Sequence, residues 1–566
     1  MAEVLRVGNC SGFYGDRLSA MREMLEGGPL DVLTGDYLAE LTLLILGKDR
    51  MKDPSLGYAR TFVRQAEDCL GLALERGVRI VANAGGLNPA GLVDRLREVA
   101  SGLGLSPALA YVDGDDVLDR AEELGLPGKP LTANAYLGGF GIAAALSAGA
   151  DVVVTGRVTD ASLVLGAAVS RFGWARDDWD RLAGAVVAGH VLECGAQATG
   201  GNLSGFTPDP RPLGFPLAEI ADDGSCVVTK HPGTGGSVSV DSVTAQLVYE
   251  VQGPMYLGPD VSTDLTSVRL APAGPDRVSV SGVRGSAPPE RLKVCVNELG
   301  GFRNAAELVL VGLDVEAKAA WVRTQLEAAL KDPPASVEWS LARTDREDAD
   351  TEEAASSRLR VTVRDPSPDR VGKAFTAPLV ELALASYPGF TLTAPPAPGT
   401  PYGVYRPAYV DRDNVSETVH LPDGTSSVVA PPAELSAAAG ALAPSPPDNS
   451  VAAGPTRRVP LGVVAHARSG DKGGDANIGV WARDGRDDRA AWLTSYLTPE
   501  RVRALLPEAA ALDVEVHRLP NLRAVNVVVH GLLGEGVAAS SRFDPQAKAL
   551  GEWLRSRHVD VPEALL

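Results

Sequence analysis

Along the first 250 or so residues, short β-branched or apolar runs alternate with longer amphipathic stretches. Runs at 5–8, 32–33, 79–82, 108–112 and 151–155 read as strands, and 58–76, 89–101 and 160–172 read as helices. That alternation predicts an α/β domain over residues 1–260, a large N-terminal parallel sheet with helices on both faces. From 261 to 393, β-rich runs such as RVSVSGV and LKVCVNEL mix with helical segments at 315–330 and 371–386, which gives an α+β extension. Residues 394–457 are loaded with Pro, Ala, Ser and Gly and read as a linker, because that composition buries too little apolar surface to offset chain entropy. The last segment, 458–566, predicts a small C-terminal α+β sandwich, with strands at 459–464, 514–519 and 524–529 and helices at 499–506 and 545–557.

Charge and cysteine content narrow the partners. Acidic residues outnumber basic ones, 72 to 53, and the net charge of −19 argues against nucleic acid and anionic membranes. The start MAEVLRVGN has no basic segment leading into an apolar one, and no apolar run reaches membrane length, so the expected compartment is the cytoplasm. Cys10, Cys69, Cys194, Cys226 and Cys295 are odd in number and form no CxxC pair, which fits reduced thiols.

Several predicted strands end in polar or glycine-rich turns: GNCSGFYGDR at 8–17, TGDY at 34–37, NAGGLNP at 83–89 and TGRVTD at 155–160. Ligands of open α/β sheets bind beyond the carboxyl ends of the strands, so these turns are expected to converge on one crevice. Asn9, Ser11, Tyr14, Arg17, Asn83 and Arg157 are the candidate substrate contacts there, and Asp160 reads as the cap of the helix that follows. The glycines at 8, 12 and 15 do not match GxGxxG, so a dinucleotide cofactor loses support. A second candidate is KHPGTGGS, where Gly233, Thr234, Gly235, Gly236 and Ser237, with Lys230 nearby, could present backbone N–H groups to a phosphate, thioester or carboxylate. The competing reading is a tight structural turn. His190 and Cys194 share a helix face but lack a third ligand, so no metal is expected.

Near the C-terminus, AHARSGDKGGDANIGV reads as a strand feeding a polar, glycine-rich loop. Arg468 and Lys472 can hold a carboxylate or phosphate, His466 can move a proton near neutral pH, and Asp471 stands beside them, so these four are the candidate catalytic residues. Asn477 joins the substrate contacts. The alternative is an internally paired turn in which Asp471 and Asp475 satisfy the two cations. His530 and Asn526 would lie near this loop if their strand is its neighbour.

At these residues the chain resembles the acyclic terpene utilisation A (AtuA) family. The resemblance is carried by LECGAQATGGN at 192–202, KHPGTGGSVSVDSVTAQLVYEV at 230–251, HARSGDKGGDANIGV at 466–480 and LPNLRAVNVVVHGLLGEGV at 519–537. It implies a bacterial cytosolic protein working beside enzymes that degrade citronellol- and geraniol-type compounds through acyl-CoA intermediates, and a homodimer or larger assembly. With the residues above, the expectation is an enzyme acting on an acyl-CoA thioester or branched carboxylic substrate. It would be a hydratase or carbon–carbon lyase without redox cofactor, with coenzyme A entering only as part of the substrate. The alternatives are a noncatalytic ligand-binding or scaffolding subunit and a phosphate-ester hydrolase.

Overall fold

A computed structural model describes residues 3–437 and 454–566. Its central element is an eleven-stranded sheet. Five parallel strands occupy the middle in the order Val4–Asn9, Val32–Gly35, Arg79–Ala82, Val152–Thr155 and Leu109–Asp113. Antiparallel strands extend it on both sides, with Pro216–Ala221 and Cys226–Lys230 on one flank and Thr418–His420 on the other. All five predicted strands and the three predicted helices are present, the latter as Arg60–Arg76, Pro89–Gly102 and Ser162–Phe172.

The period of two places successive strand residues on opposite faces, so a buried strand must be apolar throughout. Val81 and Val153 join the core beneath helices Phe140–Ser147, Ser162–Phe172 and Trp179–Leu192. Ile80, Ala82, Val152 and Val154 join the core beneath Ala20–Gly27, Arg60–Arg76 and Pro89–Gly102. No helix among the described residues is long and apolar enough to cross a membrane.

The chain divides into two compact units, one formed by residues 1–297 with 405–566 and the other by 298–404. The second unit has the order strand, helix, strand, strand, helix, strand, with sheet order Ser336–Ala342, Ser356–Asp365, the end of Arg291–Val311, and Thr391–Leu392. Helices Val315–Ala329 and Lys373–Glu381 supply Val322, Leu326, Phe375 and Leu379 to its core. Much of the expected linker is ordered. Thr400–Asp411, Thr418–His420 and Ser426–Val428 are strands, and Val419, 1% exposed, is part of the large core. The proline and alanine content hid the alternation in this stretch; residues 438–453 lie outside the described residues.

At the C-terminal end, Ala465–Lys472, Asp475–Ala482, Ala524–Val529 and Val514–Leu519 form a four-stranded antiparallel sheet in that order. Helices Asp487–Tyr496, Pro499–Leu505 and Leu550–Ser556 pack on it. The stretch expected to be a strand feeding a loop is a β-hairpin, Ala465–Lys472 turning through Gly473 and Gly474 into Asp475–Ala482. A Gly-Gly pair is a hairpin signal, but one face of the first strand reads Ala465, Ala467, Ser469 and Asp471, which does not stand out as an apolar stripe.

Candidate functional site

A cavity of about 940 Å³ opens beyond the carboxyl ends of the parallel strands. Turn residues Gly12, Phe13, Asp16, Asp36, Arg157, Thr159 and Asp160 line it, so three of the four strand-end turns meet there as expected. The segment Tyr249–Pro259 forms another wall, and the hairpin tip contributes Asp471, Lys472 and Gly473.

Glycines let the hairpin approach that wall. A Cβ at Gly470 would lie 2.4 Å from the Tyr249 ring, and one at Gly479 would lie 2.1 Å from a Val248 methyl. This close packing brings Asn477 and Asn526 onto the backbone of the wall. The N–H of Glu250 donates to Asn477 Oδ1 at 2.7 Å, Asn526 Nδ2 donates to the Val251 carbonyl at 3.0 Å, and the two asparagine side chains bond each other. Glu250 is held at φ 57°, a conformation that costs about 1–3 kcal/mol for a non-glycine residue and persists where the surroundings fix it. Its side chain lines the cavity, with Lys548 Nζ 3.7 Å from Oε1.

Two lysines face this acidic chamber differently. Lys293 stands 3.8 Å from Glu40 Oε1 and over the rings of Tyr136 and Tyr405. Burial lowers its pKa, Glu40 opposes that, and Lys472 adds to the depression. Burial would raise Glu40, but Lys293 and Arg157 outweigh it and hold the carboxyl at about 2. The Lys472 ammonium has no hydrogen bond or ion pair with any described residue. Its burial is outweighed by Glu250, Glu40, Asp160 and Glu193, so its pKa is raised and the ammonium stays charged. A charged, unpaired amine in a cavity is a ready contact for a carboxylate or carbonyl oxygen.

Three carboxyls in the chamber are pushed upward. Burial, reinforced by Glu250, takes Asp471 to about 7 against the pull of Lys548. Burial and Asp160 raise Asp36, which accepts from Asn83 Nδ2 at 2.6 Å and from the Leu38 N–H at 3.2 Å. Burial also raises Glu193, whose Oε1 lies 3.2 Å from His190 Nδ1. Asp471, near neutrality, is thereby able to give and take protons.

Of the residues singled out from sequence, Arg157, Asp471 and Lys472 line the cavity. Arg157 is braced by Asp160 at 2.8 Å and by the Leu38 carbonyl at 2.9 Å, so Asp160 is an ion-pair partner and not the expected cap; Ala161 holds the cap position. Asn83 and Asn477 act behind the wall, on Asp36 and Glu250.

The other candidates do not line the cavity and make contacts elsewhere in the chain. His466 is buried against Trp481, with ring centroids 5.6 Å apart, and burial lowers its pKa. Arg468 lies under the Tyr249 ring at 4.4 Å and donates to the Gly201 carbonyl at 3.3 Å. Neither lines the cavity, and Asp471 and Asp475 do not pair with Arg468 or Lys472; His530 takes Asp475 at 3.1 Å. Asn9 Nδ2 donates to the Leu192 and Glu193 carbonyls, Ser11 Oγ to the Phe13 carbonyl, and Arg17 to Glu23 and the Leu213 carbonyl. The Tyr14 carbonyl accepts from Thr61, and its ring packs on the core.

The glycine-rich loop also spends its donors internally. Gly235 N–H donates to the Pro212 carbonyl, Gly236 N–H to Asp209, Ser237 N–H to the Thr199 carbonyl, and Thr234 Oγ1 to the His231 carbonyl. Lys230 Nζ donates to the Thr234 carbonyl at 2.9 Å and pairs with Asp276 at 3.4 Å. Lys230, Gly233, Thr234, Gly235, Gly236 and Ser237 lie outside the cavity, and these internal bonds favour the structural-turn reading.

Sequence reasoning passed over Asp36, Glu40, Glu193, Glu250 and Lys293. Asp36 stood in a noted turn and Glu193 in LECGAQ. Glu250 stood at the end of KHPGTGGSVSVDSVTAQLVYEV and Lys293 in LKVCVNEL, but neither was singled out, because their meeting at the cavity depends on segments far apart in sequence.

The family model for acyclic terpene utilisation family protein AtuA matches residues 5–421, and the AtuA ferredoxin-like domain matches 459–560. The chain belongs to the AtuA family. No curated protein matches it significantly. In this AtuA protein the ferredoxin-like domain is the C-terminal sheet, and its hairpin supplies Asp471 and Lys472 to a cavity built mainly by the larger AtuA part.

Proposed function

We propose that this AtuA protein is an acid–base enzyme acting on a branched, terpenoid-like acyl compound, as a hydratase or carbon–carbon lyase. Coenzyme A, where present, is carried as part of the substrate. The observation that carries the reading is the charged, unpaired Lys472 ammonium set beside Asp471, a carboxyl poised near pH 7. Lys472 would hold the substrate carboxylate or thioester carbonyl and stabilise negative charge developing on its oxygen. Asp471 would exchange a proton with the substrate at neutral pH. Phe13, Met255, Tyr256 and Leu257 offer an apolar wall to the hydrocarbon chain.

Calorimetric titration with 3-methylcrotonate and its CoA thioester tests this. Lys472→Ala should weaken binding by about 1.5–3 kcal/mol, roughly ten- to a hundredfold, with folding unchanged. Equal affinity in the two proteins would remove Lys472 from the site. Tight binding without turnover would favour a noncatalytic ligand-binding subunit.

A further inference from the structure

A group beyond Lys472 and Asp471 is set up to handle protons. His190, on helix Trp179–Leu192, and Glu193, just past its end, are 3% and 7% exposed. His190 Nε2 lies 3.0 Å from the Gln246 carbonyl, which can only accept, so Nε2 must carry a hydrogen. The only nitrogen free to change protonation is Nδ1, and it faces Glu193 Oε1 at 3.2 Å. Glu193 lines the cavity, and its second oxygen, Oε2, is buried without a hydrogen-bond partner. A buried carboxyl with an unpartnered oxygen is costly to ionise, so its charge has to be balanced by a neighbour.

We propose that Glu193 is a catalytic residue whose carboxyl exchanges a proton with the substrate, and that His190 is a positioning residue that holds the balancing charge on Nδ1. This rests on the acid–base reading above and adds the second proton-handling group that a lyase or hydratase needs. In the resting pair, the imidazolium donates its Nε2–H to the Gln246 carbonyl and sets its Nδ1 at ion-pair distance from the Glu193 carboxylate. The Glu193 carboxylate then takes the proton from the substrate carbon next to the carbonyl. The electron pair of that C–H bond moves into an enolate, whose oxygen Lys472 stabilises. The same proton returns from the Glu193 carboxyl to substrate or leaving group, so the pair is unchanged after a turnover.

The neighbours suit this role. Lys472 and Glu250 face His190, Asp160 and Glu250 face Glu193, and the Tyr256 ring lies 5.0 Å from the imidazole and lines the cavity. Burial alone would strip the proton from His190, but the Glu193 carboxylate outweighs it, so the pKa of the imidazole is raised.

Two measurements on the full chain decide the matter. The first is NMR of protein labelled at histidine, with the His190 signal assigned through His190→Gln. His190 should be an imidazolium at pH 7, and in Glu193→Gln its proton affinity should fall at least tenfold, leaving the neutral Nε2–H tautomer. An unchanged titration, or an Nδ1–H tautomer, would overturn the pair. The second is exchange of the α-hydrogens of isovaleryl-CoA in D2O. Glu193→Gln should slow exchange by about a hundredfold or more. Glu193→Asp should restore part of it, and His190→Gln should shift the pH profile to lower rates near neutrality. Wild-type exchange rates in Glu193→Gln would overturn the role of Glu193 alone. Absence of exchange in the wild type would overturn the acid–base reading and with it the catalytic role of Glu193, whatever the NMR shows of the pair.

Discussion

Asn477 accepts the backbone N–H of Glu250 at 2.7 Å across 227 positions of sequence, and this bond ties the ferredoxin-like domain to the wall of the cavity. Asn526 completes the clamp from the neighbouring strand by donating to the Val251 carbonyl and bonding Asn477. Asn477→Ala should cost about 1–3 kcal/mol, since it leaves a buried donor unsatisfied, and should weaken carboxylate binding as Glu250 loses its fixed backbone. Because the two asparagines share a bond, Asn477→Ala with Asn526→Ala should lose less than the sum of the single changes, by about 0.5–3 kcal/mol. Urea denaturation of the four proteins measures the cycle. Strict additivity would mean that the two side chains do not act together.

The sheet was legible because its strands are buried on both faces, so Val32, Ile80 and Val152 to Val154 stand out as apolar runs. Its crevice was legible because TGDY and TGRVTD end those runs. The hairpin at 465–482 and the strands within 400–428 were not, since small residues and prolines mask their alternation. In the candidate site, Lys472 and Asp471 were visible as charges in a glycine-rich motif. That His466 and Arg468, from the same motif, stay out of the cavity follows from their place further back along the strand than Lys472 and from their contacts with Trp481 and Tyr249. No property of positions 250 or 293 taken alone marks them.

Gly479 is required by contact and not by a turn. Gly479→Val would drive its side chain into Val248, which has a methyl 2.1 Å from the Cβ position. Overpacking of this kind costs about 1–3 kcal/mol. The variant should melt earlier than wild type and bind 3-methylcrotonate more weakly, because the same displacement lifts Lys472 from the chamber. A melting temperature equal to wild type would show that the hairpin has room to move and that the glycine is not a packing requirement.

The turn at 230–237 gives an opposite pair of expectations. A Cβ at Gly235 would lie 2.7 Å from the Arg211 and Pro212 carbonyl oxygens, which are backbone atoms with little freedom to yield. Gly235→Val should therefore destabilise by about 1–3 kcal/mol. Lys230→Ala, which frees the Thr234 carbonyl and Asp276, should lower stability by about 1–3 kcal/mol and leave ligand affinity untouched. Calorimetry beside circular-dichroism melts separates the two effects. A loss of carboxylate binding in Lys230→Ala with an unchanged melt would restore the anion-binding loop.

Asp471 makes the stability of the site depend on pH in a defined direction. Its carboxyl is raised from 3.8 to about 7 by burial and then by Glu250, so the ionised form is disfavoured in the fold. Between those two values the native chain binds more protons here than the unfolded chain, and stability falls as pH rises. Below about 3.8 the contribution is fully present, and above about 7 it has been lost. Asp471→Asn removes this titration while keeping the shape of the side chain. The melting temperature of the variant relative to wild type should therefore climb from pH 4 to pH 7 and then level off. Asp115 and Glu417, pushed up to about 7 and about 8, titrate in both proteins, so their effect cancels in the difference. Binding of 3-methylcrotonate should decline in the wild type as pH rises through about 7, where an ionised Asp471 repels the ligand, and should stay flatter in Asp471→Asn. A stability difference independent of pH would show that Asp471 is ionised throughout, and would remove it as the proton-exchanging neighbour of Lys472.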